Sequence, residues 1–363
     1  MKIAILSMQK VYNYGSVLQA YSLKKIIEDI TGEEVDFLNP ILEDSIETKM
    51  KVSDKNDYET SRYIDNKFKF FVNKLINKLK FKELQKNIER FQIKELKLND
   101  DNINKMYDLV VEGSDEVFKC SKRVYLNMYG KVKNTKSLIT YAASCGSANI
   151  DGLTPEIIEI LKNEMKNFKD MSVRDKNTEE YIKTLYEGNI ERNLDPVLVG
   201  NLSSRKHKDV KIKNYMVVYA YGDRIHTKEE ILAIKNYAKK YNLKTIAIGA
   251  PQYWCDKFVT VSPFEALDYF YHAKCVVTDT FHGTIFSIIN KCKFATILRI
   301  TNQHKLGDLL NQLNLNNHIV SSLDDLENIL NLEVEYNKVE EILEKEKIKT
   351  KEYLSKYCNG ETY

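Results

Sequence analysis

Short apolar runs rich in β-branched residues recur along the chain, and stretches of helical period separate most of them. The first such stretch repeats its apolar residues at helical spacing between Val17 and Ile30. Continuous apolar runs, unlike alternating ones, are typical of parallel strands that helices cover on both faces. The sequence therefore predicts an α/β fold with strands at 3–6, 35–38, 108–111, 138–143, 171–173, 216–221, 245–248, 275–277 and 294–298.

The length of 363 residues predicts about two domains, since a domain usually has ~150 residues. A polar stretch without a periodic pattern, 200–214, separates two runs of alternating strand and helix. We therefore expect an N-terminal domain over 1–205, a C-terminal domain over 206–334 and a closing helix within 335–363. Two α/β halves that face each other across a cleft are the simplest architecture.

A basic, helical segment at about 48–104 interrupts the first half, with Phe and Leu on a recurring stripe. One interpretation is a solvated insertion that packs through its apolar stripe, and we expect this one. The other is a helix that lies on an anionic bilayer beside a lipid-linked substrate.

Composition excludes several classes of protein. Lys and Arg total 55 against 52 Asp and Glu, a balance that argues against a dedicated nucleic-acid binder. The six cysteines form no CxxC pair and have no histidine at metal-ligand spacing, so we expect no metal. No run approaches the about 18 apolar residues of a spanning helix, and the first apolar run is too short for a signal peptide. We expect a cytoplasmic protein with at most peripheral contact with the inner face of the membrane.

Candidate site residues follow the predicted strands, because ligands bind at the carboxyl ends of parallel strands. The segment Asn13-Tyr14-Gly15-Ser16 follows the first strand. Gly15 permits a ligand to approach the backbone closely, and Ser16 can cap the following helix. By the spacing of its residues alone, the segment is a turn more often than a ligand site. After the third strand, Ser114 and Asp115 suit a sugar hydroxyl, and an N-cap explains them equally well.

Two further strand ends carry polar residues. Ser144 and Cys145 end an apolar run, and we expect a buried thiol there and not a nucleophile. Another strand delivers Asp279 and His282 to a helix start, where a histidine can transfer a proton near neutral pH. Gly283 leaves backbone N–H groups accessible to a phosphate or carboxylate. A helix N-terminus opposes a proton donor unless Asp279 or a bound anion offsets it.

Arginine is far rarer than lysine in this chain, so each arginine is more informative. Arg174 and Arg299 both lie just past predicted strands, and guanidinium groups bind carboxylates and phosphates through two bonds. For Arg299 a surface ion pair is an equally good explanation.

In their joint order, several segments resemble the polysaccharide pyruvyl transferase family over about residues 13–299; these are NYGSVLQAYSL, DLVVEGSDEVF, ITYAASCG, SVRD, LDPVL and TDTFHGTIFSIINKCKF. The resemblance implies two Rossmann-like domains that face a cleft, as in GT-B glycosyltransferases. It also implies transfer of pyruvate from phosphoenolpyruvate to hydroxyls of a cell-surface polysaccharide or its precursor, with formation of a ketal and release of phosphate. No cofactor is expected besides phosphoenolpyruvate as co-substrate.

The same resemblance places the family's proton donor at His282 and its ligand for the donor's anionic groups at Arg174. Asp115 is our candidate to orient or deprotonate the acceptor hydroxyl. Where some branches carry an arginine, this chain has Thr280, so positive charge must come from another residue such as His304. The other candidates for substrate binding are Asn13, Tyr14, Gly15, Ser114, Ser144, Asp279, Gly283, Thr284, Arg299 and Lys305.

Two alternative functions remain at this stage. A nucleotide-sugar glycosyltransferase would use the same two-domain cleft, and a non-catalytic saccharide-binding or assembly protein would keep the scaffold without the chemistry. The sequence leaves open the acceptor sugar, the hydroxyls that the ketal bridges, whether the acceptor is lipid-linked, and the oligomeric state.

Overall fold

The computed structural model describes residues 1–39, 44–48, 63–64, 67–99, 102, 105–222 and 224–358. The strands are β1 (Ile3–Leu6), β2 (Asp36–Leu38), β3 (Ser45–Glu47), β4 (Leu109–Asp115), β5 (Arg123–Tyr125), β6 (Leu138–Ala143), β7 (Met171–Val173), β8 (Ile190–Arg192), β9 (Tyr215–Tyr219), β10 (Lys244–Ala247), β11 (Lys257–Phe258), β12 (Cys275–Thr278), β13 (Phe294–Ile297) and β14 (Ile319–Val320). The α-helices are α1 (Tyr14–Thr31), α2 (Lys67–Lys94), α3 (Pro155–Met165), α4 (Lys176–Lys183), α5 (Pro196–Val199), α6 (Lys228–Lys240), α7 (Pro263–Tyr271), α8 (Phe281–Ile289), α9 (Gln303–Gln312), α10 (Leu326–Asn331) and α11 (Tyr336–Cys358).

The strands form two six-stranded parallel sheets and one small antiparallel pair. The first sheet has the order β2-β1-β4-β6-β7-β8, and the second has the order β11-β10-β9-β12-β13-β14. Strands β3 and β5 pair antiparallel beside them. Both strand orders are those of doubly wound α/β sheets, in which the chain adds strands first toward one edge and then, from near the middle, toward the other. The predicted α/β fold with two Rossmann-like domains is confirmed.

All nine predicted apolar runs lie on strands, with one informative difference. Strand β4 continues through Asp115 and is buried along its whole length, whereas the prediction ended it at residue 111. Asp115 is followed by a turn and not by a helix, so its explanation as an N-cap is wrong. The strands that the sequence did not reveal are only two or three residues long, too short to show as apolar runs; they are β3, β5, β8, β11 and β14.

The closing helix α11 ties the two domains together. It begins on the second domain, where the hydroxyl of Tyr336 donates to the carbonyl of Ser287 at 3.3 Å. It ends on the first domain, where the hydroxyl of Tyr353 donates to the carbonyl of Thr140 at 2.8 Å. One hydrophobic core includes buried residues of both domains, and α1 of the first domain and α8 of the second both contact α5. The domains are therefore packed against each other beside the cleft.

The basic segment predicted at 48–104 is covered in part. Helix α2 accounts for its described second half, and residues 49–62, 65, 66, 100, 101, 103 and 104 lie outside the described residues. The C-terminal half of α2 packs through Leu84, Ile88 and Phe91, which are buried in the core. The predicted packing through an apolar stripe is confirmed for this half of the helix only.

Candidate active site

A cavity of about 460 Å³ lies between the two domains, at the carboxyl ends of both sheets. The first sheet reverses its strand order between β1 and β4, and the second does so between β9 and β12. The cavity is lined by residues that follow these four strands, among them Asn13, Asp115, Tyr221 and His282. Ligands of doubly wound sheets bind where the strand order reverses. Here two such positions face each other across one space.

His282 enters this cavity from the start of α8. Thr280 caps the helix, since its Oγ1 accepts from the N–H of Gly283 at 2.9 Å. The imidazole packs across the cleft onto Gly15 in α1, so closely that a Cβ at position 15 would lie 2.8 Å from the Cβ of His282 and closer still to its ring. Position 15 therefore has no room for a side chain, because the second domain's histidine occupies that space.

Asp195 links His282 to the first domain. Its Oδ2 accepts from Nη1 of Arg174 at 2.8 Å and lies 3.5 Å from Nε2 of His282. Complete burial raises the pKa of Asp195, but the neighbouring His282 and Arg174 lower it further, to about 2. An ionised carboxylate thus stands between the two side chains and offsets the positive charge of Arg174. Its other oxygen caps the short helix α5 through the N–H of Val197 at 3.0 Å.

Arg174 follows β7 and is 4% exposed, yet it lines the cavity. Its guanidinium carbon lies 4.2 Å from the centroid of the Phe281 ring, a cation–π contact between the two domains. Within the described residues, Nε of Arg174 is buried and has no hydrogen-bond partner. A buried unsatisfied donor of this kind is rare in folded proteins and favours an acceptor supplied by a ligand.

The rest of the lining carries more positive than negative charge. Lys305 forms an ion pair with Glu116, and Nζ of Lys119 lies 3.8 Å from the same carboxylate. Lys305 is the main reason that the pKa of Glu116 falls to about 2. The charged residues of the lining are Asp115, Glu116, Lys119, Arg174, Arg224 and Lys305, and His282 lies among them. Such a surface suits a small anion with more than one negative group.

Asp115 ends β4 on the same cavity. Its backbone has φ 78°, a left-handed conformation that costs energy for a residue with a side chain and is concentrated at functional sites. Its Oδ2 accepts from Oγ of Ser16 at 2.7 Å. The expected cap of α1 by Ser16 is wrong, because Asn13 caps this helix through the N–H of Gly15 at 2.7 Å.

Asp279 and Arg299 lie beside the cavity but do not line it. Nε of Arg299 donates to Oδ2 of Asp279 at 3.1 Å, and Nη1 donates to Oε1 of Glu230 at 2.6 Å. The two candidates are therefore paired with each other, although Oδ1 of Asp279 and Nη2 of Arg299 have no hydrogen-bond partner among the described residues. The carboxylate beside His282 is Asp195, whereas Asp279, which the sequence offered with a bound anion as a way to offset the helix N-terminus, is paired with Arg299.

Other candidates are enclosed in the protein's own hydrogen bonds. Ser144 donates to Asp175 at 2.8 Å, and Ser114 lies 3.5 Å from Oδ2 of Asp195. Thr284 bonds to Thr296, Tyr14 donates to the carbonyl of Val261, and the N–H of Gly283 is used by the helix cap. Burial raises the pKa of the Cys145 thiol to about 12, which confirms the prediction of a buried thiol.

Of the residues singled out in the sequence, Asn13, Ser16, Asp115, Arg174, His282 and Lys305 line the cavity together. Sequence reasoning missed Asp195, Glu116, Lys119 and Arg224. Asp195 had a signal, since Asp-Pro is typical of a helix start at which an aspartate caps. The rarity of arginine would have favoured Arg224. No signal in the sequence pointed to Glu116 or Lys119.

A second cavity of about 530 Å³ adjoins the first, and both are lined by Val11, Asn13 and Tyr221. Its walls are mainly apolar and include the aromatic rings of Tyr12, Tyr14, Tyr219, Tyr221 and Tyr253. The turns of α2 that carry Lys74, Asn77, Lys78 and Phe81 complete it. Among the described residues, no group of three or more His, Cys, Asp or Glu could hold a metal ion.

Known proteins share this architecture. UDP-GlcNAc 2-epimerase from Methanocaldococcus jannaschii is 13% identical with a TM-score of 0.50, over 92% of this chain and 93% of that one. Arabidopsis thaliana UGT89C1 complexed with UDP is 10% identical with a TM-score of 0.50, over 98% of this chain and 99% of that one. At these identities the likeness shows the fold alone, which is GT-B-like.

Sequence comparison is more specific than the fold. No curated protein matches the chain. The family model of the polysaccharide pyruvyl transferases matches residues 13–299, which include the strand-order reversal of the second sheet and most of the residues that line the cavity. The chain belongs to the polysaccharide pyruvyl transferase family.

Proposed function

We propose that the protein transfers pyruvate from phosphoenolpyruvate to hydroxyls of a polysaccharide or its precursor, with formation of a cyclic ketal and release of phosphate. The observation that carries this proposal is that His282 and Arg174 line one cavity of mainly positive lining and meet at the buried Asp195 behind it. The reaction needs a proton donor for the methylene carbon of phosphoenolpyruvate and a cationic ligand for the carboxylate and phosphate on the neighbouring carbon.

Phosphoenolpyruvate fits the charges of the cavity. Its carboxylate and phosphate are separated by a single carbon, so both need cationic partners in a small space. Arg174 offers its unsatisfied Nε, and Lys119, Arg224 and Lys305 supply further positive charge. Because side chains can neutralise the donor, the proposed reaction needs no cofactor besides phosphoenolpyruvate.

The chemistry begins with protonation of the methylene carbon of phosphoenolpyruvate. His282 donates this proton, and positive charge develops at the neighbouring carbon, which a first acceptor hydroxyl attacks. Asp115 takes the proton of that hydroxyl. The bond between carbon and the phosphate oxygen then breaks, and a second hydroxyl bonds to the same carbon while its proton leaves with phosphate. One phosphoenolpyruvate and two hydroxyls thus give one ketal and one phosphate.

The structure supports these roles through placement. Asp195 holds an ionised carboxylate 3.5 Å from Nε2 of His282, which offsets the positive charge of the protonated ring. Asp115 lines the same cavity and is oriented by the hydroxyl of Ser16. Acid and base therefore belong to different domains and face one substrate position.

We assign the acceptor to the second cavity. Tyrosine rings on apolar walls suit the faces of sugar rings. A saccharide bound there would direct its hydroxyl groups toward the first cavity, past the residues that line both cavities. The position of this cavity on the opposite side of Asn13 and Tyr221 separates the acceptor from the donor's charged groups.

Phosphate release from phosphoenolpyruvate that depends on an added saccharide tests the proposal. His282→Ala should lower turnover by ~10² to 10⁴-fold with little change in stability. His272→Gln is the matched control, since His272 ends α7 and does not line the cavity. Normal turnover in His282→Ala would refute the role of the histidine.

The same preparation distinguishes the alternative functions. A nucleotide-sugar glycosyltransferase would be protected from heat by a nucleoside diphosphate and not by phosphoenolpyruvate. A saccharide-binding protein without catalysis would release no phosphate under any condition.

A further inference from the structure

The N-terminal half of α2 turns polar groups toward the protein. The amide of Asn73 donates to the carbonyl of Tyr253 at 3.1 Å, and Nζ of Lys80 donates to the carbonyl of Phe258 at 3.1 Å. Two turns further along, Asn87 donates to the carbonyl of Thr260 at 3.3 Å. These three bonds fix one face of the helix on the loops beside β10 and β11 of the second domain.

The opposite face of this half is apolar and exposed. We call it the outward stripe, and its residues are Phe71, Val72, Leu75, Ile76 and Leu79. Phe71, Leu75 and Leu79 follow each other at helical spacing and are 71%, 64% and 68% exposed. A helix on the surface of a protein normally buries its apolar face and exposes its polar one. Here the arrangement is reversed, so the expected packing through the stripe is wrong for this half.

The charges around the outward stripe have one sign. Between residues 67 and 82 the sequence has no acidic residue, and its basic residues are Lys67, Lys69, Lys74, Lys78, Lys80 and Lys82. An apolar stripe that lysines accompany is the pattern of a helix lying in the interface of an anionic bilayer. None of the described helices is long and apolar enough to cross a membrane.

We propose that the outward stripe docks this protein on an anionic lipid bilayer, with Phe71, Leu75 and Leu79 inserted among the lipids and the exposed Lys74, Lys78 and Lys82 at the headgroups. The charge of the lysines favours anionic lipid over a second copy of this chain, whose identical stripe would repel it. The same turns of α2 line the second cavity through Lys74 and Phe81. Docking therefore places that cavity at the bilayer, where a lipid-linked saccharide presents its sugars; this last step alone rests on the proposed function.

Vesicle binding by the full-length protein tests the docking without any substrate. We expect co-sedimentation with vesicles of phosphatidylcholine and phosphatidylglycerol, weaker binding at high salt, and little binding to phosphatidylcholine alone. Leu75→Gln and Leu79→Gln should each lower the partition coefficient on the order of tenfold. Ile348→Gln is the matched control, because Ile348 is 59% exposed on α11. All variants should keep the wild-type thermal midpoint, since they change exposed residues.

Three outcomes would overturn the proposal. The first is that the protein does not bind the anionic vesicles. The second is that the Leu75 and Leu79 variants bind as well as the wild type. The third is that the Ile348 control loses as much vesicle binding as those variants do. A change from dimer to monomer in the Leu75 and Leu79 variants without vesicle binding would assign the stripe to a second copy of the chain. Vesicle binding without pyruvyl transfer would retain the docking surface and reject the proposed function, whereas transfer without vesicle binding would do the reverse.

Discussion

Substituting Gly15 by alanine tests the packing of the histidine across the cleft. Gly15 is the second residue of α1, and its helical backbone accepts alanine without strain. The nearest obstacle is the side chain of His282, since the new Cβ would lie 2.8 Å from the Cβ of His282 and closer to the ring. We expect the ring to be pushed out of place, away from Asp195.

The expected magnitudes follow from two opposing effects. Alanine is more favourable than glycine in a helix by up to about 1 kcal/mol. Overpacking at a filled site costs about 1–3 kcal/mol. We therefore expect Gly15→Ala to lower the free energy of unfolding by up to about 2 kcal/mol in the wild type. In a His282→Ala background the ring is absent, and the same change should raise it by up to about 1 kcal/mol.

Urea unfolding of the wild type, both single variants and the double variant gives the coupling, which we expect at about 1–3 kcal/mol. In the turnover assay, Gly15→Ala should lose on the order of 10²-fold or more, because a displaced acid protonates poorly. It should cause no further loss once His282 is gone. Additive effects on stability, with equal changes in both backgrounds, would refute the contact between Gly15 and the imidazole.

Other substitutions test the charges of the site. Asp195→Asn leaves Arg174 without its buried partner and should lower the free energy of unfolding by about 3–5 kcal/mol at pH 7. Because the lowered pKa of Asp195 is about 2, urea unfolding should show this difference between variant and wild type shrinking as the pH falls from about 4 toward 2. A difference that stays constant with pH would contradict this. Glu112 is buried in β4, and neither of its carboxylate oxygens has a hydrogen-bond partner within the described chain. Burial raises the pKa of Glu112 well above 4.5, so the free energy of unfolding of the wild type should fall as the pH rises above about 4.5, whereas that of Glu112→Gln should not. Parallel pH profiles of the two proteins would contradict this. Lys305→Met should weaken the binding of phosphoenolpyruvate on the order of tenfold by calorimetry, whereas Lys293→Met, outside the cavity, should not; equal affinities would exclude Lys305 from the donor site.

Local patterns in the sequence were enough to identify the fold and much of the site. Apolar runs located nine strands because a parallel strand covered on both faces usually has a near-continuous run of apolar residues. The carboxyl ends of those strands then identified Asn13, Asp115, Arg174 and His282, because doubly wound sheets bind ligands at that edge. Short edge strands escaped prediction, since two or three residues carry too little pattern.

Pairing between charges could not be read from the sequence. Asp279 is three residues from His282 and was one candidate to offset the helix N-terminus at the imidazole, yet Asp195, 87 positions away, lies beside the ring. Arg299 pairs with Asp279, and the arginines that line the cavity are Arg174 and Arg224. An ion pair depends on distances of a few ångströms that only the packing of the two domains sets.

The sequence by itself determined the helical period of α2, its stripe of apolar residues and its positive charge. Only the tertiary structure decided which side of that helix meets the protein. Periodicity defines a face but contains nothing about what lies opposite, and here the carbonyl groups of the second domain bind the asparagine and lysine side. The stripe is consequently turned outward, and the closeness of Gly15 to His282 has the same origin, because both follow from where the two domains meet.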